Sequence, residues 1–289
     1  MPDDTIPRAE TAVIHPSAAV AAVIHPSAAV AAGAQIGRGV HIGPFCAIGP
    51  DVVIEDGAEL ISHVVVDGHT RIGANVKLYP FCTVGLPPQD MKYKGEPTRC
   101  TIGPRTQIRE HCTIHRGTPG GLGITSVGAD CMLMAVTHVA HDCTLGNGVI
   151  LANNAVMGGH VSIGDNAVIG GQSALHQFAR IGRGAMISGV TGVAADVVPF
   201  GMVFGNRGVV TGLNVIGLAR RGYGRPRIHR LRAAFRLLFA GDGVFAARLE
   251  AVQAQFADEE LVVEMLAFIQ APSKRGLIQA RLTGDGDTD

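Results

Sequence analysis

The chain has 289 residues, enough to bury a large core, and its 24 basic and 24 acidic side chains give a formal net charge of zero. This balance creates no global field that would attract nucleic acid or an anionic membrane. No apolar run reaches the roughly 18 residues that would suggest a membrane-spanning helix, and the N-terminus lacks the layout of a signal peptide. We therefore expect no nucleic-acid partner and no membrane insertion.

The N-terminal region contains a direct duplication, because the segment VIHPSAAVAA occupies residues 13–22 and again residues 23–32. The length of the duplicated segment is not a multiple of the six-residue period that starts in the second copy. The two copies therefore cannot continue one regular repeat without a slip. Residues 1–22 are predicted to form an N-terminal extension, either an extra partial coil or a loose cap.

From the second copy onward, an aliphatic residue returns every six residues over long stretches. This period fits neither an amphipathic helix nor an amphipathic strand, and it is typical of a solenoid whose short strands each point one apolar side chain inward. Three such hexads make one triangular coil, and coils stack at about 4.8 Å. The aliphatic positions are Ile24, Val30, Ile36, Ile42, Ile48, Ile54, Leu60, Val66, Ile72, Leu78, Val84, Ile102, Ile108, Ile114, Val127, Leu133, Val139, Leu145, Leu151, Met157, Ile163, Ile169, Leu175, Ile181, Ile187 and Val193.

A second register accompanies the first, because a small or β-branched residue lies two positions before each aliphatic one. Glycine often follows the aliphatic residue, where we expect it to supply the backbone conformations of a corner. All the cysteines fall in the small-residue register, and no CxxC pair is present, so we predict buried unpaired thiols rather than disulfides or a metal cluster. Free thiols suit a reducing cytoplasm, which is the predicted location. The cysteines are Cys46, Cys82, Cys100, Cys112, Cys131 and Cys143.

Two segments interrupt the hexads. Residues 85–101 carry proline, glycine and charge where aliphatic residues are due, and residues 115–126 shift the phase. Both are predicted to be loops that protrude from corners, and long loops on a rigid scaffold commonly carry function.

After about Asn206 the hexads stop, and apolar residues recur at helical spacing from Asn214 onward. Gly241 and Gly243 are predicted to separate two helices, Asp258 to cap the next and Pro272 to end it. The predicted domains are thus the extension at 1–22, a β-solenoid at 23–206 and a small helical domain at 207–289. The final residues, 284–289, are predicted to be disordered.

Several polar side chains fall at stacked corners, because the aliphatic residues before them are three hexads apart. Consecutive members are expected about 5 Å apart along one edge of the solenoid. A lone corner histidine would be a solvent-exposed side chain, but a stacked set is not needed for packing and predicts a functional edge. The stacked residues are His141, His160 and Gln177, with His138, His176, Asn153 and Asn154 near the same edge.

The segments PPQDMKYKGEPTR, TIHRGT, THVAHDCTLGNGVILANNAVMGGHVSIGD, AVIGGQSALHQF and GLARRG form a specific combination. Together they resemble the UDP-N-acetylglucosamine 3-O-acyltransferases, the family that performs the first step of lipid A synthesis. The match runs from about Val23 to Arg221 and then more loosely through the helices. The resemblance implies a left-handed parallel β-helix of hexapeptide repeats followed by a small α-helical C-terminal domain. The handedness comes from the resemblance, since the general rule for parallel crossovers favours a right-handed connection.

The resemblance also implies the reaction: a β-hydroxyacyl group moves from the phosphopantetheine thioester of acyl carrier protein to the 3-hydroxyl of UDP-N-acetylglucosamine. No cofactor, metal or covalent acyl-enzyme is required. His141 would be the general base, since histidine has a suitable pKa for taking the hydroxyl proton. Asp142 would hold the imidazole tautomer, or would be an ordinary corner aspartate. Backbone N–H groups beside Gly158 and Gly159 would bind the oxyanion.

The substrate-binding residues are implied in the same way. The family has an acidic residue two positions after the asparagine that matches Asn214, and Ile216 stands there instead, which leaves the contact to the nucleotide base open. Arginines at the nucleotide end suit phosphate. The matching positions are Asp90 and Lys92 for the nucleotide sugar, His138, His160 and Gln177 for the sugar and pyrophosphate, and Asn214, Arg220 and Arg221 for the nucleotide.

Acyl carrier protein is acidic, so an arginine-rich run is a plausible docking face, although it could be a solvated helix face. The resemblance implies a homotrimer with active sites between neighbouring subunits. Gly189 matches the position that sets acyl chain length, and its missing side chain predicts a long donor, although glycine there could simply ease a corner. The arginines are Arg220, Arg221, Arg225, Arg227, Arg230, Arg232 and Arg236.

Three alternatives remain open at this stage. A metal-dependent hydratase resembling the γ-class carbonic anhydrases would use His141 and His160 as ligands, but it would leave Asp90 and Lys92 without a role. A non-catalytic solenoid scaffold would bind no sugar nucleotide. A related N-acyltransferase of the same pathway usually carries an additional N-terminal domain, for which we expect no room before Val23.

Overall fold

The hexad positions form short parallel strands in the computed structural model, which describes residues 13–14 and 22–281. Most strands have two residues, and from Gln35–Ile36 onward the second of the two, such as Ile42 or Leu60, is buried. The chain divides into two units, Met1–Asn147 and Gly148–Asp289. The predicted boundary between hexads and helices at residues 206/207 falls inside the second unit.

The first unit contains three parallel sheets in which every third strand along the chain is a neighbour. Its first sheet contains β1 (Val13–Ile14), β4 (Gln35–Ile36), β7 (Val53–Ile54), β10 (His69–Ile72), β13 (Arg99–Ile102), β16 (Ile124–Val127) and β19 (Thr144–Leu145). Its second sheet contains β2 (Val23–Ile24), β5 (His41–Ile42), β8 (Glu59–Leu60), β11 (Lys77–Leu78), β14 (Gln107–Ile108) and β17 (Met132–Leu133). Its third sheet contains β3 (Ala29–Val30), β6 (Ala47–Ile48), β9 (Val65–Val66), β12 (Thr83–Leu86), β15 (Thr113–His115) and β18 (His138–Val139).

The second unit continues the same three-strand periodicity and ends it with an antiparallel hairpin. Strands β28 (Gly201–Phe204) and β29 (Val209–Leu213) form the hairpin, and β28 pairs in parallel with β26 (Met186–Ile187). The paired strands are β22 (Ser162–Ile163) with β25 (Arg180–Ile181); β21 (Val156–Met157), β24 (Ala174–Leu175) and β27 (Gly192–Val193); and β20 (Ile150–Leu151), β23 (Val168–Ile169), β26 (Met186–Ile187), β28 (Gly201–Phe204) and β29 (Val209–Leu213).

The core of each unit is built from the two registers seen in the sequence. In most strands the aliphatic residue comes last and points inward, and the small residue two positions earlier is buried beside it, as Val52 and Ile54 show. Burying an aliphatic side chain of this size stabilises the fold by about 2 kcal/mol. The predicted packing role of the cysteines is confirmed, since all six are buried and none forms a disulfide.

Glycines that follow the aliphatic residue allow close stacking of coils. Positive φ occurs mainly three positions after the aliphatic residue, where Phe45 (φ 58°) and Asn75 (φ 56°) adopt it without being glycine. A Cβ on Gly43, by contrast, would lie 1.8 Å from the carbonyl oxygen of Ile61 in the next coil. The prediction that most glycines after an aliphatic residue supply a turn conformation was therefore wrong. Gly85 (φ 77°) is an exception.

The duplicated N-terminal segment places its two copies on different sheets. Strand β1 of the first copy pairs with β4, whereas β2 of the second copy pairs with β5. The predicted slip between the copies is thus observed, and the pairing of β1 agrees with a partial coil. The rest of the predicted extension, 1–12 and 15–21, and the predicted disordered tail at 284–289 lie outside the described residues.

Both predicted loops are present, although each is shorter than predicted because the flanking strands extend into it. The first loop covers residues 87–98, between β12 and β13. The second loop covers residues 116–123, between β15 and β16.

Up to residue 281, the C-terminal part of the second unit contains four helices. The spacing predicted for the second of them is confirmed, since Leu231, Ala234, Phe235 and Leu238 are all buried. None of the helices within residues 22–281 has both the length and the apolar character needed to cross a bilayer. The helices are α1 (Val215–Arg220), α2 (Arg225–Ala240), α3 (Phe245–Gln255) and α4 (Glu260–Gln270).

The start of α4 differs from the prediction. Glu259, not Asp258, is the N-cap residue, and its side chain accepts a hydrogen bond from the backbone N–H of Leu261. Asp258 instead forms an ion pair with Arg230 of α2. Asp258 thus pairs with a residue far away in the sequence and does not take the capping role that its position predicted.

Candidate active site

His141 and Asp142 lie at the corner that follows β18. Asp142 has a left-handed backbone (φ 59°), and its carboxylate is fully buried. The Nδ1 of His141 lies 2.8 Å from Oδ2 of Asp142. Because an ionised carboxylate only accepts hydrogen bonds, Nδ1 carries the proton and Nε2 is the basic nitrogen of the neutral ring.

The second loop closes over the Asp142 carboxylate. The hydroxyl of Thr118 donates to Oδ2 at 2.6 Å, and the backbone N–H of Thr118 donates to the same carboxylate at 3.1 Å. The backbone N–H of Gly123 donates to Oδ1 at 3.1 Å, while the backbone N–H of Asp142 itself donates to the hydroxyl of Thr125. This set of donors distinguishes Asp142 from an ordinary solvent-facing corner aspartate.

Two further imidazoles lie close to His141 in the first unit. His138 points outward from β18, and its Nδ1 lies 2.7 Å from the hydroxyl of Thr113. The ring of His115, at the end of β15, meets the His138 ring edge-on at 5.1 Å. Burial lowers the pKa of His115 to about 4, with smaller contributions from the positive charges of protonated His138 and His141. Burial, with His141 adding to it, also lowers the pKa of His138.

His115 is a site residue that was not singled out from the sequence. Its side chain is buried, and Nδ1 has no hydrogen-bond partner among the described residues. The available signal was its position at the end of the TIHRGT segment's strand, directly before the loop that breaks the hexad phase. A buried ring nitrogen without a partner is a feature that a bound ligand could satisfy.

The first loop carries the predicted sugar-nucleotide residues. Asp90 is half-buried and accepts a hydrogen bond from the backbone N–H of Lys92, whose side chain is exposed. Arg116 fastens this loop to the second one, since its Nε donates to the hydroxyl of Tyr93 at 2.9 Å. The guanidinium also donates to the carbonyl of Gly85. Tyr93 and Arg116 were likewise not singled out from the sequence.

In the second unit, His160 stacks on the ring of Phe178, with centroids 4.5 Å apart. The stacking predicted for His160 and Gln177 therefore differs in detail. Gln177 lies over Gly158 rather than over the imidazole, since a Cβ on Gly158 would lie 2.9 Å from the backbone nitrogen of Gln177. His176, also predicted near this edge, is exposed.

The two predicted oxyanion donors differ in their backbone hydrogen bonds. The backbone N–H of Gly158 donates to the carbonyl of Leu175 at 2.9 Å, as part of the ladder between coils. No such bond of the Gly159 N–H occurs within residues 22–281. Gly159 is therefore the better candidate of the pair.

Asn214 is buried at the start of α1 and acts as its N-cap residue. Its Oδ1 accepts from the N–H of Gly217 at 2.9 Å, and its Nδ2 donates to the carbonyl of Gly184 at 3.0 Å. The amide thus holds the start of α1 in place. Ile216, which replaces the acidic residue of the family, is 63% exposed.

The two arginines at the end of α1 differ in their surroundings. Arg221 donates to the carbonyl of Gly217 and to the carbonyl of Asn166 at 2.7 Å. Arg220 is exposed, and the structure shows no hydrogen bond or ion pair from it to any described residue. Arg220 is therefore the more available of the two for a phosphate.

The predicted docking face of arginines is partly neutralised. Arg227 pairs with Glu259 and Glu260, and Arg230 pairs with Asp258. These two arginines therefore contribute little net charge to the predicted docking face.

Gly189 is exposed at the corner after β26. A Cβ there would lie 3.2 Å from the carbonyl oxygen of Gly171 and would meet no other side chain. The site thus accepts a Cβ after a small adjustment of the neighbouring backbone.

Comparison with known proteins identifies relatives along nearly the whole chain. A family model described as UDP-N-acetylglucosamine O-acyltransferase, domain 2, matches residues 196–278, and a bacterial transferase hexapeptide model matches residues 124–159. Proteins named acyl-[acyl-carrier-protein]–UDP-N-acetylglucosamine O-acyltransferase are 49% identical in Azorhizobium caulinodans, covering 92% of this chain and 94% of that one, and 46% identical in Rhizobium johnstonii, covering 93% and 95%.

Solved structures agree. The UDP-N-acetylglucosamine acyltransferase of Bacteroides fragilis is 35% identical, with a TM-score of 0.86 over 89% of this chain and 100% of that one. The enzyme of Campylobacter jejuni is 36% identical, with a TM-score of 0.83 over 89% and 100%. These matches, with the parallel sheets and short C-terminal helices, confirm the predicted left-handed β-helix of hexapeptide repeats.

Proposed function

The chain belongs to the acyl-[acyl-carrier-protein]–UDP-N-acetylglucosamine O-acyltransferase family, and we propose that its acyl transfer depends on His141 as general base. The enzyme moves an acyl group from acyl carrier protein to a hydroxyl of UDP-N-acetylglucosamine in lipid A biosynthesis. Membership in this family disfavours the hydratase and scaffold alternatives, and the relatives are named O-acyltransferases rather than N-acyltransferases.

The observation that carries the proposed mechanism is the hydrogen bond from His141 to the buried carboxylate of Asp142. A carboxylate at Nδ1 keeps Nε2 as the proton acceptor and stabilises the imidazolium that forms. Nε2 takes the proton of the sugar 3-hydroxyl as the hydroxyl oxygen attacks the carbonyl carbon of the thioester. The tetrahedral intermediate then collapses, the C–S bond breaks, and the imidazolium returns the proton to the phosphopantetheine thiolate.

The remaining residues bind and orient in this proposal. The N–H of Gly159 donates to the oxyanion of the intermediate. Asp90, Lys92, His138, His160 and Gln177 contact the sugar and pyrophosphate, and Arg220 and Arg221 contact the nucleotide phosphates, while Asn214 fixes the helix that presents them. The donor is a long β-hydroxyacyl chain whose far end reaches Gly189.

We propose that the enzyme works as a homotrimer in the cytoplasm, without a metal, a cofactor or a covalent acyl-enzyme. Buried cysteines that form no disulfide fit a reducing compartment. Light scattering is expected to give three times the mass of one chain. An active species with the mass of a single chain would contradict the trimer.

The deciding experiment is mass spectrometry of the product formed from UDP-N-acetylglucosamine and a mixture of β-hydroxyacyl carrier proteins. The expected product carries one β-hydroxyacyl group as an ester on the sugar 3-oxygen. UDP-N-acetylglucosamine in which an amino group replaces the 3-hydroxyl is the matched acceptor for an N-acyl product. Absence of any acylated sugar nucleotide, or an amide product only, would overturn the proposal.

A further inference from the structure

The second loop folds back on the carboxylate of Asp142, which is buried away from solvent. Its Thr118 contributes two donors: the hydroxyl reaches Oδ2 at 2.6 Å and the backbone N–H reaches the carboxylate at 3.1 Å. Oδ2 is the same oxygen that accepts from Nδ1 of His141. Thr118 and His141 thus share one acceptor atom.

A buried carboxylate must be held by donors, because moving an ion out of water without partners is costly. Two flexible torsions would otherwise let this carboxylate rotate, and rotation would change which oxygen faces His141. The Gly123 N–H holds Oδ1 at 3.1 Å, while the Thr118 hydroxyl holds Oδ2. Together the two loop residues fix the plane of the carboxylate.

The loop fits tightly around this carboxylate. A Cβ on Gly121 would lie 2.4 Å from the Asp142 carboxylate, so only glycine permits the loop to approach this closely. The loop begins directly after His115, and its first residue, Arg116, donates a hydrogen bond to the hydroxyl of Tyr93 in the first loop. The loop is therefore part of the site that contains His141 and Asp142, and it is not a separate surface feature.

We propose that Thr118 is a positioning residue for acyl transfer, which acts through Asp142 by holding Oδ2 in line with Nδ1 of His141. Thr118 contacts no reacting atom. Its hydroxyl sets the orientation of the carboxylate, the carboxylate sets the tautomer and orientation of the imidazole, and the imidazole takes the proton. This inference rests on the proposed role of His141 as general base.

The test compares Thr118→Val, which keeps the shape but removes the hydroxyl, with Thr118→Ser, which keeps the hydroxyl. Thr118→Val is expected to lower kcat about 10-fold, the order expected for losing one hydrogen bond to a charged group. The KM for UDP-N-acetylglucosamine is expected to stay within about 2-fold, because Thr118 does not bind substrate. Thr118→Ser is expected to retain most of the wild-type kcat.

A double-mutant cycle with Asp142→Ala separates positioning from a general structural role. If Thr118 acts through Asp142, Thr118→Val has no further effect on kcat once the carboxylate is absent. Thr144→Val, an exposed threonine on β19, is the matched control and should match wild type. Circular dichroism melting of each variant verifies that it is folded.

Three outcomes would overturn the inference: a Thr118→Val enzyme with wild-type kcat, a Thr118→Ser enzyme as impaired as Thr118→Val, or an undiminished effect of Thr118→Val in the Asp142→Ala background. Failure of the proposed function has a different signature. In that case His141→Ala would retain the activity of the wild type, or the wild type would form no acylated sugar nucleotide.

Discussion

Replacing His141 with alanine is the most direct perturbation of the mechanism, since it removes the base and touches no hexad position. A positioned general base contributes about 10²–10⁴-fold, which corresponds to about 3–5 kcal/mol of transition-state stabilisation. We therefore expect kcat to fall at least about 100-fold. The fold should survive, because the buried carboxylate of Asp142 keeps its bonds from Thr118 and Gly123. The free energy of unfolding should change by only about 1 kcal/mol.

The assay is the initial rate of acylated sugar nucleotide formation, followed by mass spectrometry at saturating concentrations of both substrates. His41→Ala, which alters an exposed histidine on β5, is the matched control and should show the wild-type rate. Urea unfolding monitored by circular dichroism measures the change in stability. A folded His141→Ala enzyme with a kcat within about 3-fold of wild type would refute the assignment of His141 as base.

Three further predictions follow from the surroundings of individual residues. Arg220→Ala and Arg221→Ala should each weaken binding of UDP-N-acetylglucosamine, with the larger loss at low salt, because charge-assisted phosphate contacts are screened by ions; titration calorimetry showing unchanged affinity at low salt would place both arginines elsewhere. Gly189→Met should shift preference toward shorter acyl donors, each excluded methylene losing about 0.8 kcal/mol of burial, and an unchanged preference across a chain-length series would contradict this. Burial lowers the pKa of His115 from 6.5 to about 4. Between these two pH values, the unfolded chain therefore binds a proton that the folded chain does not. Stability should therefore fall as the pH drops from about 6.5 to about 4, by up to about 3 kcal/mol. The free energy of unfolding, measured with urea, should change less between pH 7 and pH 5 for His115→Gln than for wild type. Equal changes would contradict the attribution of this pH dependence to His115.

For some site residues the sequence predicted a place in the repeat but not the groups that surround the side chain. Asp142 was recognised as a partner of His141 or an ordinary corner residue, and the choice depended on whether the second loop reached its carboxylate. That loop is irregular and rich in glycine, so no periodic pattern predicts its path. The same limit applies to His115, whose burial, and hence its lowered pKa, follows from the elements packed around it.

Other predictions changed because a long-range contact prevailed over a local signal. Asp258 lies at a suitable position to cap α4, yet it pairs with Arg230, and the cap passes to Glu259. The N–H of Gly158 is next to a site residue, yet it is used by the ladder between coils. Ion pairs likewise reduce the charge that Arg227 offers to a partner.

The sequence by itself determined the repeat, the inward-facing aliphatic and small registers, the buried thiols and the places where the loops leave the solenoid. It could do so because each hexad contacts the equivalent positions of its neighbours, so that one local rule repeats along the chain. Only the tertiary structure decided which groups surround Asp142, why Gly43 must lack a side chain and that Arg227 and Arg230 pair with acidic side chains. Those outcomes depend on contacts between residues far apart in the chain, whose distances and competing partners exist only once the coils have stacked and the loops have closed.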